Sequence, residues 1–243
     1  ISSFYGWMPS GYTAHYPNTN NCDVTSVDKT WWCRLIYSYM QNAKLDMNIS
    51  FSNSTVTQNQ DSANVGQYWY GHDFCSRFVE CHGMGRPDVI VIHGGTNDYG
   101  HNYGEELAPG IPMRSENMPS QSVMDGFYAA ADACTTNEAA EALPYNTFCA
   151  AYVKLVRMMK VRYPDVRIVC IIGDSVTPGI QQVIKNVAEH YDARVVDLLA
   201  LAGFRENTYV TKYDAGKVHP NANGMDYMAR KIYTEHGAWM ERR

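Results

Sequence analysis

A strand pattern near the middle of the chain constrains the fold more than any other feature. Pro87 precedes the run Asp88-Val-Ile-Val-Ile-His93, which ends at Gly94-Gly95. Successive side chains on a strand point to opposite faces, so a run that is apolar at successive positions predicts a strand covered on both sides. Strands of this kind are typical of parallel sheets flanked by helices.

Helical and strand patterns alternate along much of the chain. Further strands are predicted at about residues 46–51, 166–172 and 194–198. Helices are predicted from Thr25, over 122–134, around 148–163, around 180–187 and from about Asn221. This order predicts a single α/β domain over residues 1–243, doubly wound in three α/β/α layers around a parallel sheet, with a long insertion at about 99–143. Ligands of such sheets bind at the carboxyl ends of the strands.

The residue types of two further segments predict their local structure. Thr25 and Asp28 have the spacing of a capping box, which predicts that the first helix begins there. Residues 53–86 are rich in Ser, Asn, Gln and Gly, and their pattern predicts little regular structure.

Composition and charge argue against several classes of protein. Apolar residues make up 45% of the 243 residues and charged residues 19%, as in an ordinary folded domain. The net charge is −5 and Lys and Arg form no cluster, so no nucleic-acid partner is expected. No apolar run is long enough to span a bilayer, so no membrane partner is expected either. Residues 1–11 lack both the basic start and the apolar stretch of a signal peptide.

The seven cysteines form no Cys-x-x-Cys motif that would indicate a metal site. Two close pairs, Cys75/Cys81 and Cys134/Cys149, are candidate disulfides that would each close a short loop. Disulfides are typical of exported proteins, so a secreted or periplasmic location is the expectation.

Two loops carry residue types suited to chemistry. Asn97 follows the Gly-rich end of the 88–93 strand, where its amide N–H groups can stabilise a developing oxyanion, although an ordinary Asx turn explains the same pattern. His219 lies before Pro220 at a helix start and can act as a general base, although a lone loop histidine is more often a surface residue. His93, Asp98 and His101 are close in sequence, but their spacing matches no metal site, and neither a metal nor a cofactor is expected.

Together these segments resemble a known family. Pro87-Asp-Val-Ile-Val-Ile-His-Gly-Gly-Thr-Asn-Asp98 looks like block III of the SGNH hydrolases, which are GDSL-type serine esterases. Val218-His-Pro-Asn-Ala-Asn-Gly-Met225 looks like block V. Ser50-Phe-Ser-Asn-Ser-Thr55 resembles block II, where the family usually has Gly in place of Asn53. Ile1-Ser-Ser-Phe-Tyr-Gly-Trp-Met-Pro9 resembles the segment after the nucleophile in block I. The resemblance spans nearly the whole chain and implies the flavodoxin-like fold of this family.

The resemblance also implies roles for individual residues. His219 becomes the catalytic base, and Asn97 and the backbone N–H of Asn53 become oxyanion donors. The family usually has Asp three residues before the histidine, where this chain has Gly216, so Asp214 completes a triad only if its loop bulges. Otherwise the site is a Ser–His dyad.

The nucleophile is the least direct part of the resemblance. On this alignment the serine is expected immediately before Ile1, and the first strand of the sheet is expected upstream of it. Gly173-Asp174-Ser175 reads like block I by itself, but it follows the Asn97 block, so we interpret it as a helix cap rather than a permuted nucleophile.

The implied reaction is hydrolysis of an ester through an acyl-enzyme. Abundant loop aromatics and the lack of an apolar lid favour O-acetyl groups on a carbohydrate as the substrate. Gly95, Thr96, Trp7 and Tyr5 are the expected substrate-binding residues; Phe4, Trp31, Trp69 and Tyr70 are further candidates for the cleft wall. The alternatives are a catalytically inactive carbohydrate-binding protein of the same fold, and a lipase or thioesterase.

Overall fold

The computed structural model describes residues 1–17, 23–58, 70–81, 85–101, 106–108, 111–112, 120–173, 176–198 and 219–242, with the backbone alone at 99–101, 106–108 and 111–112. The chain forms two compact units, Ile1–Ser52 with Val196–Arg243, and Asn53–Val195. The elements, in chain order, are a 3₁₀ turn Val27–Lys29, α1 Trp31–Arg34, a π turn Leu35–Tyr39, α2 Phe74–Glu80, β1 Val89–His93, α3 Thr96–His101, β2 Glu106–Ala108, β3 Ile111–Pro112, α4 Gln121–Asp132, α5 Asn137–Glu141, α6 Phe148–Arg162, β4 Arg167–Ile172, α7 Pro178–His190, β5 Arg194–Asp197 and α8 Ala222–Met240.

Within the described residues, the main sheet has three parallel strands in the order β1-β4-β5. β1 and β4 pair from Val89 opposite Arg167 to His93 opposite Ile171. All of β4 after Arg167 is buried, whereas Ile92 is the one buried residue of β1. The central strand β4 is therefore covered on both faces, and among the described strands β1 lies at one edge. A separate antiparallel pair joins β2 to β3.

Helix α6 forms the core of the 53–195 unit. It packs against α2, α4, α5 and α7, and most of its residues are buried, including Phe148, Tyr152 and Leu155. Thr147 begins this helix, because its side chain accepts a hydrogen bond from the backbone N–H of Ala150 at 3.3 Å. Such caps satisfy backbone donors that the first turn leaves unpaired.

In the other unit, α8 packs against α1. Met225, Met228 and Ile232 are fully buried along one side of α8, as the apolar spacing predicts. Asn221 caps this helix by accepting a hydrogen bond from the backbone N–H of Gly224 at 2.9 Å. The described helices include none that is both long and apolar enough to cross a membrane.

The predicted strands at 88–93, 166–172 and 194–198 are confirmed as β1, β4 and β5, and the predicted later helices are confirmed as α4, α6, α7 and α8. The α/β class with a parallel sheet is confirmed. The 88–93 strand is shielded less than β4, since Ile92 is buried and the other residues of β1 are half-buried. The sequence missed α2, α3, α5 and the β2–β3 pair.

The predicted strand at 46–51 is wrong. Residues 46–51 belong to no helix or strand. Their polar groups are used elsewhere: the Asn48 side chain donates to the carbonyl of Ser2 at 3.1 Å and accepts from the backbone N–H of Ser50 at 3.0 Å. The expected strand upstream of Ile1 stays a prediction.

The predicted start of the first helix is also wrong. The helix begins at Trp31 after the 3₁₀ turn, and Thr30, not Thr25, accepts the capping hydrogen bond, from the backbone N–H of Cys33. Thr25 instead accepts a hydrogen bond from Lys29 Nζ at 3.3 Å. The capping-box spacing therefore misplaced the start by about one turn.

Neither candidate disulfide is present. All four cysteines are free and buried. Cys75 and Cys81 lie at the start and just past the end of α2, and six helical residues span roughly 9 Å, which exceeds the reach of a disulfide. The free thiols remove one reason for expecting an exported protein, and the location itself stays a prediction.

Candidate active site

The turn after β1 requires glycine at two successive positions. A Cβ atom at Gly94 would lie 2.7 Å from both the Phe74 ring and the Val56 side chain. Gly95 has a φ of 108°, in a region that favours glycine, and a Cβ there would lie 3.1 Å from Ile180. The two glycines let β1 pass directly into α3, so Thr96, Asn97 and Asp98 fall in the first turn of that helix.

Asn97 is held by the loop that follows Ser52. Its side-chain Nδ2 donates a hydrogen bond to the carbonyl oxygen of Ser54 at 2.9 Å. An amide group carries two N–H donors, so this bond orients the side chain and uses one of them. Asn97 thus lies in a helical turn rather than in an Asx turn, and its side chain contacts Ser54, which is distant in sequence.

Asn53 has the backbone conformation that its expected role requires. Its φ is 67°, in the left-handed region where Gly is usual and Asn is tolerated better than other residues. The family's usual Gly at this place and the Asn of this chain can therefore adopt the same turn. Asn53 and Asn97 are brought into one structure because the next residue, Ser54, accepts the Asn97 hydrogen bond.

Asp98 ties this loop to α3. Its carboxylate is buried and accepts hydrogen bonds from the backbone N–H of Val56 at 3.0 Å, the backbone N–H of Thr57 at 2.9 Å and the hydroxyl of Thr57 at 2.6 Å. Burial raises the pKa of Asp98, and the hydrogen bonds from Thr57 and Val56 oppose that rise. Its lone pairs serve this loop, which gives Asp98 a structural role in place of the metal-ligand alternative.

Arg77 is a contributor that the sequence did not reveal. Its guanidinium is buried, donates to Ser54 Oγ at 2.9 Å and to the carbonyl of His72 at 2.9 Å, and stacks over the Phe74 ring at 4.5 Å. Arg77, Asn97 and Asp98 thus each form hydrogen bonds with the 54–57 segment. The one signal for α2 was Asp73, which caps this helix by accepting from the backbone N–H of Ser76 at 2.9 Å.

His93 ends β1 against the loop after β4. A Cβ atom at Gly173 would lie 3.2 Å from both His93 Nε2 and Thr96 Oγ1. Desolvation lowers the pKa of His93 to about 3, so its imidazole is neutral at neutral pH. Asp174 and Ser175, the remainder of the Gly-Asp-Ser motif, lie outside the described residues.

In the other unit, His219 stacks on another histidine. The ring centroids of His219 and His15 are 3.8 Å apart and the ring planes lie 8° from parallel. The neighbouring Tyr16 is buried, and its hydroxyl donates to the carbonyl of Pro220 at 3.0 Å. The stacking partner of His219 was not predicted, because no local spacing relates residue 15 to residue 219.

The predicted aromatic cleft residues divide by exposure. Tyr5 is 77% exposed and Trp7 43% exposed, with the Trp7 ring 5.8 Å from that of Trp32. Phe4 and Trp31 are instead buried, so these two belong to the core. Trp31 and Trp32 donate their indole N–H groups to Ser2 Oγ and to the Ser2 carbonyl, both at 3.0 Å.

Some expected site residues cannot be placed. Asp214 and Trp69 lie outside the described residues. Within the described part of the chain, no three His, Cys, Asp or Glu side chains are grouped so that they could hold a metal ion.

The parallel α/β sheet places the protein in the α/β class, and the Gly-Gly turn and Asn97 follow the carboxyl end of β1, where ligands of such sheets bind. Residues 76–227 match the profile of the GDSL-like lipase/acylhydrolase family, and residues 1–106 match a second GDSL-like lipase/acylhydrolase profile. The chain belongs to the GDSL-like lipase/acylhydrolase family. It is accordingly a carboxylic ester hydrolase of the SGNH type.

Two solved structures share the fold. A protein described as a GDSL-like lipase from Bacteroides uniformis has a TM-score of 0.66 and 21% identity, covering 98% of this chain and 91% of its own. Another described in the same words, from Bacteroides ovatus, has a TM-score of 0.66 and 23% identity, covering 98% and 93%. None of the curated proteins compared with the chain matches it.

Proposed function

We propose that the protein is a serine esterase that removes O-acetyl groups from a carbohydrate. The observation that carries this proposal is the loop 53–57, which Asn97, Asp98 and Arg77 hold with Asn53 in the left-handed conformation. A rigid pair of N–H donors is what stabilisation of a tetrahedral oxyanion needs, because preorganised donors need no rearrangement during the reaction.

In the proposed reaction, the serine Oγ attacks the carbonyl carbon of the ester and His219 accepts the serine proton. The oxyanion is stabilised by the serine N–H, the backbone N–H of Asn53 and the second Nδ2–H of Asn97. The intermediate collapses to an acyl-serine, and His219 returns the proton to the leaving alcohol. Water then attacks the acyl-serine with His219 again as base, which releases the acid and restores the serine.

The serine itself is proposed to lie immediately before Ile1, as the block I resemblance implies. Asp214 is proposed to orient His219 where its loop permits. Gly95 and Thr96 are proposed to contact the acyl part of the substrate, because they precede Asn97 in the same turn.

Exposed aromatic rings support a carbohydrate substrate. Tyr5 and Trp7 present flat apolar faces to solvent, and such faces pack against the C–H faces of sugar rings. Both lie in the segment that follows the proposed serine. A lipase or a thioesterase would instead be identified by faster turnover of long acyl chains or of thioesters.

Two substitutions test the catalytic assignment on the full-length protein. Asn97→Ala should lower kcat for an aryl acetate by about 10²–10³-fold, because it removes one oxyanion donor. His219→Ala should lower kcat by several orders of magnitude, because the serine then lacks its base. Asn53→Gly is the matched control, which keeps the backbone donor and the turn and should keep kcat close to the wild-type value.

A second experiment tests the nucleophile and the substrate. The full-length protein is labelled with a fluorophosphonate and the modified serine is located by mass spectrometry; the proposal expects it immediately before Ile1. Labelling at Ser175 would overturn that position. Acetylated oligosaccharides should release acetate faster than long-chain esters, and the reverse order would contradict the carbohydrate assignment.

A further inference from the structure

The ring of His219 lies flat against a second imidazole. The centroids of the His15 and His219 rings are 3.8 Å apart, with the planes 8° from parallel. The His15 ring also meets the Tyr16 ring edge-on, at 4.7 Å and 86°. At such a short separation the two imidazoles are in van der Waals contact across their faces, so a rotation of the His219 ring would drive its edge into His15.

The backbone beside each ring is tied in place. The backbone N–H of His15 donates to Ser3 Oγ at 2.9 Å, and that of Tyr16 donates to the carbonyl of Ser3 at 3.1 Å. The buried Tyr16 hydroxyl then donates to the carbonyl of Pro220 at 3.0 Å. The neighbour of His15 is thus bonded to the neighbour of His219, so the stack is fixed from the backbone as well as from the rings.

A catalytic histidine has to present one ring nitrogen to the serine, and misorientation is costly for the rate. In the family this orientation usually comes from an Asp three residues before the histidine, a position that Gly216 occupies here. We propose that His15 is a positioning residue for the base, and that its flat ring fixes the plane of the His219 imidazole. This inference rests on the proposed function, in which His219 is the base.

A positioning role for His15 and a simple packing role predict different effects of substitution. If His15 only filled space, an aliphatic side chain would replace it without effect on the reaction. If it fixes the ring plane, a flat ring is needed and an aliphatic side chain is not enough. His15→Phe keeps a flat ring, and His15→Leu fills the space without one.

The experiment measures kcat and KM of the full-length protein with an aryl acetate. His15→Leu should lower kcat by about tenfold to a hundredfold with KM nearly unchanged, because the base is misoriented rather than the substrate released. His15→Phe should keep kcat within about threefold of wild type. A wild-type kcat in His15→Leu overturns the proposal, and so does an equal loss in His15→Phe and His15→Leu.

A second readout does not depend on activity. The carbon-bound ring protons of His219 lie over the His15 ring, so ring currents should shift their NMR signals. These signals should move in His15→Leu and stay shifted in His15→Phe; unchanged signals in His15→Leu overturn the proposal. Full activity in His219→Ala would overturn the proposed function instead, and the NMR comparison would still test the stack.

Discussion

At the scale of single residues, buried hydrogen bonds decide how the site is held. The Asp98 carboxylate is buried, and it accepts hydrogen bonds from two backbone N–H groups and one hydroxyl of the 56–57 segment. Charge-assisted bonds of this kind each contribute about 1.5–3 kcal/mol, and more is lost when their donors are left buried without an acceptor. The residue after the proposed oxyanion donor Asn97 therefore stabilises the loop that carries the other donor.

Asp98→Asn should lower the free energy of unfolding by roughly 2–4 kcal/mol, because the new amide N–H groups face the backbone N–H of Val56. The same variant should lower kcat, since the 53–57 loop loses its anchor. Urea unfolding and kinetics with an aryl acetate measure the two effects. The matched control is Asp165→Asn, at an exposed ion pair with Arg86, which should change stability by less than about 1 kcal/mol. Equal stability of the Asp98 and Asp165 variants would contradict this account.

At the scale of elements, caps position the helices around the site. Asp73 begins α2 by accepting hydrogen bonds from the backbone N–H of Ser76 at 2.9 Å and from its hydroxyl at 2.8 Å. α2 then presents Arg77 to Ser54. Burial raises the pKa of Asp73 from 3.8 to about 6, against the opposing hydrogen bonds from Ser76 and the charge of Arg77.

This pKa gives a pH dependence with a definite sign. The pKa of Asp73 is higher in the folded state than in the unfolded state. Its contribution to the free energy of unfolding is therefore fully present below about pH 4 and is lost as the pH rises through about 6. Asp73→Asn keeps the cap without a titrating group. The free energy of unfolding of the variant minus that of wild type should therefore increase by up to roughly 3 kcal/mol as the pH rises from 4 to 7.

Urea unfolding at a series of pH values measures the difference between this variant and wild type. The control is Thr147→Asn, which exchanges one cap of α6 for another and should differ from wild type by a pH-independent amount. The interpretation would be wrong if the difference between Asp73→Asn and wild type were also independent of pH.

At the scale of the whole molecule, the cysteines behave as core residues. The six cysteines in the described part of the chain are free and buried. Burial raises the pKa of Cys149 to about 12 and of Cys170 to about 11, and it raises the pKa of Cys75 well above its usual value. The reactive thiolate is therefore scarce at neutral pH, and the folded protein keeps reagents away from these sulfur atoms.

Iodoacetamide should accordingly leave Cys75, Cys149 and Cys170 unmodified in the native protein. After denaturation without reductant, all seven cysteines of the chain should be alkylated, because six are free and the seventh then has no partner within the chain. Mass spectrometry counts the modifications, with a reduced sample as the control. A lower count without reductant, or prompt native modification of these three thiols, would contradict the structure.

The sequence by itself determined the local features. Apolar runs predicted the three sheet strands, helical periodicity predicted α6, α7 and α8, and the motifs around Asn97 and His219 indicated the family. Each depends on residues within about one turn or strand of one another, and local spacing is enough to express it. The same reasoning failed at 46–51, because a strand-like pattern of residues does not show whether a neighbouring strand is present to pair with it.

Only the tertiary structure decided what holds the site. Asp98 meets Thr57 across 41 residues, and Tyr16 meets Pro220 across 204. The stack of His15 on His219 is of the same kind. These contacts form because packing brings distant segments together and leaves buried polar groups that must be paired, and no spacing along the chain records which partner each one finds.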